Sequence, residues 1–506
     1  MILSKFNLKN IQSGSLEIPD ESIFDLPEKV LQFGTGVLLR GLPDYFIDKA
    51  NKQGKFNGRI VVVKSTSVGD SDAFDKQDGL YTHCVRGMEN GKSIEKNIIN
   101  SSISRVLSAK SDWETILQCA HNPNMQVIIS NTTEVGIELV NDDIRRHPPI
   151  SFPGKLLAFL YERYKAFDGS IHSGFVIVPT ELITGNGKKL ESIVIELAHL
   201  NGLDEAFIDW LENHNSFCNS LVDRIVPGKP STLVNENLQK KFGYTDDLIT
   251  MSEAYSLWAI EGDQKLKEVL SFAVADKRVM IVPSVEVFTE LKLRLLNGTH
   301  ILSCGLAFLA GFDMVKNSMS DKLLSTYIEN LLNKEIAKAL PGKIDAKEIN
   351  SFSAQVLERF RNPNLEHPLL SITLNYTSKM RIRVLPILEK YFKLYDRVPE
   401  NIALGFAAYI LFMKAVKKVG DFYYGELNGA AYPIKDDKAA YFYKKWQVTK
   451  PGALAQTILQ DTSLWGGEDL SLLHGFTESV QEKLNDILIN GIISVIKDIE
   501  KKKVIA

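Results

Sequence analysis

The sequence predicts an α/β protein in which a doubly wound domain precedes a mostly α-helical domain. In the first half, short β-branched apolar runs alternate with longer amphipathic stretches, which is typical of parallel strands joined by helices. From about Leu291 onward, the apolar residues recur at helical spacing instead. This change of pattern predicts a domain boundary that divides the chain into residues 1–284 and 285–506.

Four apolar runs predict strands of the first domain, and a fifth run precedes the boundary. Each is nearly continuous, as expected of strands covered on both faces. The predicted strands are Val30–Phe33, Ile60–Val63, Val127–Ile129, Phe175–Val178 and Arg278–Val282. A helical pattern from Val37 to Ala50 follows the first strand, and a Gly-, Asn- and Tyr-rich stretch from Tyr423 to Lys435 predicts a surface loop.

Composition excludes several classes of partner. The net charge of -3 over 506 residues lacks the basic excess that attracts nucleic acid. No stretch resembles a secretory signal or is apolar for long enough to span a bilayer. The four cysteines are scattered and form no C-x-x-C pair, which argues against disulfides and structural zinc. We therefore expect a cytoplasmic protein without a structural zinc site, and we predict no particular oligomeric state.

Two glycines, Gly34 and Gly36, follow the first predicted strand and open a predicted helix. In that position, glycines allow a pyrophosphate to approach backbone N–H groups, as in a Rossmann-like domain. Leu39 occupies the third position of the usual G-x-G-x-x-G, so an ordinary strand-to-helix turn fits equally well. The second strand ends in Lys64-Ser65-Thr66 rather than in an acid, which leaves NAD and NADP both open.

Polar side chains recur within the segment Lys292–His300, next to the predicted boundary. On a helix with 3.6 residues per turn, Lys292, Asn297 and His300 fall within one broad sector. Reduction of a carbonyl by hydride requires a proton donor and groups that polarise the C=O, and a lysine, an amide and an imidazole can supply these. Spacing alone favours the alternative of a solvated helix face with an ordinary junction histidine.

The spacing of these three residues is similar to the signature of the long-chain mannitol dehydrogenase family. Phe33–Gly36 with Leu38 and Arg40 resembles the modified glycine motif of that family, and Phe217–Ile225 resembles its segment at the domain junction. The resemblance implies that Lys292 is the general acid/base, that Asn297 and His300 assist it, and that no metal takes part. It also implies NAD as the cofactor, bound by Phe33, Gly34, Gly36, Leu38, Arg40 and Asn131.

Further blocks are similar to the branch of the family that reduces keto sugar acids. They are Gln77–Thr82, Asn131–Glu134, Glu181–Ile183, Asn186–Gly187, Phe360–Pro363, Tyr432–Pro433 and Asp436–Asp437. The resemblance implies reversible, NADH-dependent reduction of D-tagaturonate to D-altronate in hexuronate breakdown, with this small sugar acid as the partner. The alternatives are a sibling acting on fructuronate and mannonate, one acting on mannitol, or a catalytically silent nucleotide-binding protein.

A sugar acid needs cations for its carboxylate and donors for its carbonyl oxygen. For the carboxylate we expect Lys379 and then Arg361; Lys379, Arg381 and Arg383 alternate and would not share one helix face. We expect Asp223 either to orient a substrate hydroxyl or the lysine, or to form an ion pair with Arg224. Leu182 stands where polyol-oxidising relatives have an oxyanion-binding asparagine, so Asn186 is the candidate substitute.

Overall fold

The computed structural model describes residues 1–12, 14–65, 72–89, 91–132, 136–342 and 344–505. The chain forms two units, one of Met1–Gly87 with Lys92–Glu286 and one of Met88–Gly91 with Val287–Ala506. Among the helices of the described residues, none combines the length and apolar character that crossing a bilayer requires.

A six-stranded parallel sheet is the central element of the first unit. Numbered along the chain, its strands lie in the order 3-2-1-4-5-6, which is that of a doubly wound Rossmann sheet. The predicted fold class is confirmed, and so are four of the predicted strands. In spatial order, the strands are Ile103–Ser108, Arg59–Lys64, Glu28–Phe33, Val127–Ser130, Val176–Pro179 and Ser216–Phe217.

Both faces of this sheet are buried against helices. Leu31 and Phe33 belong to the apolar cluster on one face, which also contains Phe159. Val30, from the same strand, belongs to the cluster on the other face together with Phe46. Because successive strand residues point to opposite faces, a strand in this position must be apolar at nearly every residue. The continuous β-branched runs in the sequence follow from this requirement.

The prediction of one helix from Val37 to Ala50 was wrong in one respect. The structure has two helices there, Val37–Gly41 and Pro43–Lys52. They meet at Leu42, whose φ of -132° and ψ of -78° are not helical. Pro43 has no N–H to donate, and its ring disfavours a helical conformation in the residue before it. The first helix is therefore little longer than one turn.

Two smaller sheets complete the strands of the first unit. The four-stranded sheet contains Leu16–Glu17, Lys92–Asn100, Tyr81–Glu89 and Thr250–Glu253. The three-stranded sheet contains Ser220–Asp223, Leu257–Glu261 and Val279–Val282, so the fifth predicted strand forms outside the main sheet. The remaining helices are Asp72–Lys76, Trp113–Cys119, Phe152–Ala166, Asn186–Leu200, Glu205–Asn213, Thr232–Phe242 and Gln264–Val269, with 3₁₀ turns at Leu8–Asn10, Glu21–Asp25 and Ser271–Ala275.

The second unit is mainly helical, as predicted. Three of its segments are π-helical, namely Lys292–Gly298, Leu331–Ile336 and Met380–Val384. Its α-helices are Glu286–Leu291, Thr299–Leu309, Val315–Ser320, Lys322–Asn330, Ala346–Phe360, Leu369–Ile372, Tyr376–Lys379, Leu385–Tyr395, Glu400–Phe412, Ala439–Val448, Leu454–Leu459, Phe476–Asn490 and Ile492–Ile505. Short 3₁₀ turns lie at Ala337–Ala339, Pro451–Ala453 and Leu470–Leu472.

The stretch from Tyr423 to Lys435 is not a surface loop, and this prediction was wrong. It forms an antiparallel sheet of three strands, Lys417–Val419, Phe422–Leu427 and Ala430–Ile434. Asn428 and Gly429 join the last two strands with φ values of 51° and 81°. Asn-Gly is the preferred sequence of a two-residue hairpin turn with positive φ at both positions. The signal for these strands was therefore present in the sequence.

Gly174 precedes strand Val176–Pro179, near the edge of the main sheet. A substitution at this residue tests how tightly that edge is packed. A Cβ at this residue would lie 1.5 Å from the carbonyl oxygen of His214. We expect Gly174→Ala to lower the free energy of unfolding of the first unit by about 2 kcal/mol or more, because main chain must move. Gly452→Ala, whose Cβ would meet nothing within 4 Å, is the control. Equal thermal stability of the two variants would contradict this packing.

Candidate active site

The predicted nucleotide-binding residues of the first unit lie at the carboxyl ends of two adjacent strands. Gly34 follows strand Glu28–Phe33, and its N–H donates to the carbonyl of Val63 at 3.0 Å. Asn131 follows strand Val127–Ser130, and its N–H donates to the carbonyl of Phe33 at 3.1 Å. Within the six-stranded sheet, these are the first and fourth strands in chain order, and the strand order reverses between them. Doubly wound sheets bind ligands at this point.

The two glycines there have different surroundings. Gly34 has a φ of 124°, and a Cβ would lie 2.9 Å from Leu39 Cδ1 and 3.0 Å from the Asn131 carbonyl oxygen. Gly36 is exposed at the N-cap of helix Val37–Gly41, and a Cβ there would meet nothing within 4 Å. Gly34 thus permits a tight strand-to-helix turn, while Gly36 borders open space that a ligand can enter. Both properties fit a dinucleotide site.

Asn131 is held in place by its neighbours. Its Nδ2 donates to the carbonyl and to Oγ1 of Thr180, at 3.2 and 3.0 Å. The nearby carboxylate of Glu181 accepts hydrogen bonds from the Thr132 N–H at 2.8 Å and from the Ser130 hydroxyl at 3.2 Å. Burial raises the pKa of Glu181. Of the residues named from the sequence in this region, Thr66, Thr133 and Glu134 lie outside the described residues.

Arg40 and Leu38 are packed within the first unit. The Nη1 of Arg40 donates to the carbonyl of Leu248 at 2.7 Å, and its guanidinium lies over the rings of Phe74 and Tyr81. Burial lowers the pKa of Arg40. Leu38 is half-buried against the apolar cluster that contains Val30. Arg40 is thus held by contacts within the first unit, at the end of the glycine turn.

Asn186 was predicted to supply a second oxyanion donor, and the structure contradicts this role. The side chain is 1 % exposed, and its Nδ2 donates to the carbonyls of Pro179, Glu181 and Ser220 at 3.0 to 3.1 Å. Its Oδ1 accepts from the N–H groups of Gly187 and Ser220, both at 2.9 Å. Both amide hydrogens are therefore engaged. Leu182 is exposed and has no donor in its side chain.

Asp223 and Arg224 are both buried at the end of strand Ser220–Asp223. All three hydrogen bonds of the Arg224 guanidinium go to main-chain carbonyls, two to Glu253 and one to Gly41. Arg224 also lies over the ring of Tyr45 at 4.6 Å. Burial lowers the pKa of Arg224 to about 10. The alternative of an Asp223–Arg224 ion pair is thus replaced by a bridge between Gly41 and Glu253.

In the second unit, the predicted catalytic residues lie on a π-helix rather than on the α-helix assumed from the sequence. Segment Lys292–Gly298 has hydrogen bonds between residues five apart, which brings Lys292 and Asn297 one turn from each other. Helix Thr299–Leu309 continues from it, and His300 follows Asn297 by three positions, on the same side. Lys292 and Asn297 are half-buried, whereas His300 is 7 % exposed. The three residues therefore lie on two consecutive helical segments, Lys292–Gly298 and Thr299–Leu309.

The imidazole of His300 is held between two rings. It stacks on Phe360 with 4.0 Å between the ring centroids and meets His367 edge to face at 5.0 Å. Its Nε2 is buried and, among the described residues, has no hydrogen-bond partner. The pKa of His300 is well below its ordinary value because the ring is buried and because His367, Arg359, Arg383 and Lys379 contribute positive potential. His300 is therefore a neutral imidazole whose buried Nε2 has no partner among the described residues.

Of the two predicted carboxylate-binding cations, Lys379 lies near this histidine and Arg361 is engaged elsewhere. The Nζ of Lys379 donates to the carbonyl of Ile372 at 2.9 Å, and burial with the nearby Arg383 lowers its pKa. Arg361 is 43 % exposed in its side chain and forms an ion pair with Glu329. Arg359 is buried and, like Lys379, contributes to the positive potential that lowers the pKa of His300.

Sequence reasoning did not identify Phe360 or His367 as parts of this site. Both lie more than fifty residues after His300 in the chain, so no local spacing connects them with it. The only sequence signal was the similarity of the block Phe360–Pro363. Among the described residues, no group of three or more His, Cys, Asp or Glu side chains is placed to hold a metal ion.

We expect Asn186→Ala to lower the free energy of unfolding by about 3 kcal/mol, because it leaves buried carbonyls and N–H groups without partners. Asn213→Ala, at an exposed asparagine whose side chain donates to Asp209, is the control. Denaturant unfolding, followed by fluorescence, would compare them. If Asn186→Ala left the stability unchanged but reduced turnover, the result would support the prediction that Asn186 is an oxyanion donor.

Comparison with known proteins agrees with this architecture. The model of the mannitol dehydrogenase Rossmann domain matches residues 28–272, and that of the mannitol dehydrogenase C-terminal domain matches residues 284–488. Altronate oxidoreductases of Halalkalibacterium halodurans and Bacillus subtilis are 36% and 37% identical to the chain, over 94% and 91% of its length and 93% of theirs.

Two solved structures share the fold over nearly the whole chain. Mannitol 2-dehydrogenase of Pseudomonas fluorescens, in complex with NAD and D-mannitol, superposes with a TM-score of 0.72 at 22% identity, covering 99% of this chain and 100% of that one. A D-sorbitol dehydrogenase gives 0.80 at 21% identity, covering 98% and 100%. The chain belongs to the mannitol dehydrogenase family of oxidoreductases, which act on CH–OH groups.

Proposed function

We propose that the chain catalyses the reversible, NADH-dependent reduction of D-tagaturonate to D-altronate in hexuronate breakdown. The observation that carries the proposal is the π-helical segment Lys292–Gly298, which aligns Lys292 and Asn297 and leads to the unpaired Nε2 of His300. The names of the altronate oxidoreductases at 36% and 37% identity support the substrate.

The first unit would hold NAD at the carboxyl ends of strands Glu28–Phe33 and Val127–Ser130. Gly34, Gly36 and Asn131 fit this role, because the turn is tight at Gly34 and the space beside Gly36 is open. The NAD in the Pseudomonas fluorescens complex supports the choice of cofactor. When bound, the reduced nicotinamide supplies the hydride for the ketone carbon.

The second unit supplies the proton and the hydrogen bonds. Lys292 donates its proton to the carbonyl oxygen as the C–O bond becomes single, so that the ketone becomes a secondary alcohol. Asn297 donates an amide N–H to the same oxygen and stabilises its developing negative charge. His300, held between Phe360 and His367, binds an adjacent hydroxyl through its free nitrogen. Since Asn186 is fully engaged, Asn297 is the amide donor of this scheme.

Parallel assays with D-tagaturonate, D-fructuronate and D-fructose, each with NADH and with NADPH, test the assignment. We expect kcat/KM for D-tagaturonate with NADH to exceed every other combination by about tenfold or more, since a missing ionic or hydroxyl contact leaves polar groups of the site unpaired. A preference for D-fructose would overturn the sugar-acid assignment. A preference for D-fructuronate would move it to the epimeric acid.

We expect Lys292→Met to lower kcat by about 10²- to 10⁴-fold, because the developing alkoxide loses its proton donor. Binding of NADH, measured by fluorescence titration, should stay unchanged. Lys334→Met is the matched control, since Lys334 is an exposed lysine in another π-helix. If Lys292→Met kept more than a tenth of wild-type turnover, Lys292 would not be the proton donor.

A further inference from the structure

Glu181 places a carboxyl group inside the first unit, where the residue is only 3 % exposed. It follows strand Val176–Pro179 by two residues, at the carboxyl edge of the main sheet. Among the residues that the structure describes, no lysine, arginine or histidine forms an ion pair with it. A charge that is buried without an opposite charge is costly, so a carboxylate at this position requires an explanation.

Three hydrogen bonds fix the direction of this carboxylate. Its Oε1 accepts from the N–H of Thr132 at 2.8 Å and from the hydroxyl of the same residue at 3.2 Å, and its Oε2 accepts from the hydroxyl of Ser130 at 3.2 Å. Donors directed at a carboxylate favour its ionised form, which opposes the effect of burial on the pKa of Glu181. Both partner residues lie at the end of strand Val127–Ser130, so Glu181 holds its charge between two adjacent strand ends.

The order of the strands indicates which half of NAD would lie near this charge. In a doubly wound sheet, the pyrophosphate binds at the first glycine turn, and the ribose of the adenosine half meets the end of the second strand. The nicotinamide half then extends over the strands on the other side of the reversal, which are Val127–Ser130, Val176–Pro179 and Ser216–Phe217. Glu181 joins the ends of the first two of these strands.

We propose that Glu181 is a specificity-determining residue that favours the oxidised cofactor over the reduced one. The oxidised nicotinamide carries a positive charge and the reduced ring does not, so a fixed carboxylate attracts only the oxidised form. The same preference favours hydride transfer toward the ketone, because this transfer leaves the positive ring behind. The inference rests on the proposed function, because it requires NAD at these strand ends.

Binding of the two cofactor forms without substrate separates the effect of charge from that of structure. Fluorescence titration gives the Kd of NADH, and displacement of NADH gives the Kd of NAD. Glu181→Gln keeps the size of the side chain and an oxygen that accepts from Thr132, but it removes the charge. We expect this variant to bind NAD about tenfold more weakly and NADH less than about threefold more weakly, the effect of one partly screened charge pair.

Three further variants complete the comparison, and circular dichroism verifies the fold of each. Glu181→Ala also removes the charge and takes the place of the glutamine variant if that one does not fold. Ser130→Ala removes one hydrogen bond to the carboxylate but keeps its charge, so it should change both affinities by the same factor. Glu236→Gln, at an exposed glutamate of the same unit, is the matched control and should leave both affinities unchanged.

Two results would overturn the inference. One is equal weakening of NAD and NADH in Glu181→Gln, which would make Glu181 a structural residue. The other is a ratio of the two Kd values that stays at its wild-type value in both uncharged variants. Failure of the proposed cofactor site is distinguishable, because the wild-type protein would then bind neither form. A different sugar substrate would not affect the outcome, because no substrate is present.

Discussion

The hydrogen bonding of segment Lys292–Gly298 is the constraint on which the second unit's candidate site depends. A ladder between residues five apart places Asn297 one turn after Lys292, whereas in an α-helix the two residues lie about 140° apart around the axis. The segment packs against helix Ala346–Phe360 and the π-helix Met380–Val384, which carry the neighbours of His300. Gly298 permits a close approach of helix Leu385–Tyr395, because a Cβ there would lie 2.8 Å from Ile387 Cδ1.

In the first unit, the candidate binding residues are positioned by the packing of the main sheet. This sheet is buried on both faces, so the ends of strands Glu28–Phe33 and Val127–Ser130 are held by core packing rather than by their own loops. Gly34 and Asn131 directly follow these strands and are held in place with them. The guanidinium of Arg224 donates hydrogen bonds to the carbonyls of both Gly41 and Glu253. Binding groups placed on such a framework need little ordering when a ligand arrives.

The sequence was most informative where local pattern and burial coincide. Strands such as Arg59–Lys64 were predictable, because burial on both faces demands a continuous apolar run. Residue type alone does not reveal that the Asn186 amide donates to the carbonyl of Ser220, or that Arg361 forms an ion pair with Glu329. The π-helix and His367 were beyond local reasoning, because both depend on contacts between residues far apart in the chain.

The break at Leu42 has a consequence for the electrostatics of the cofactor site. Peptide dipoles add along a helix, and helix Val37–Gly41 contributes only five residues before the axis changes. A pyrophosphate at the glycine turn would therefore be held by individual N–H groups at short range rather than by the field of a long helix. Short hydrogen bonds are screened little by dissolved ions, so coenzyme affinity should vary weakly with ionic strength.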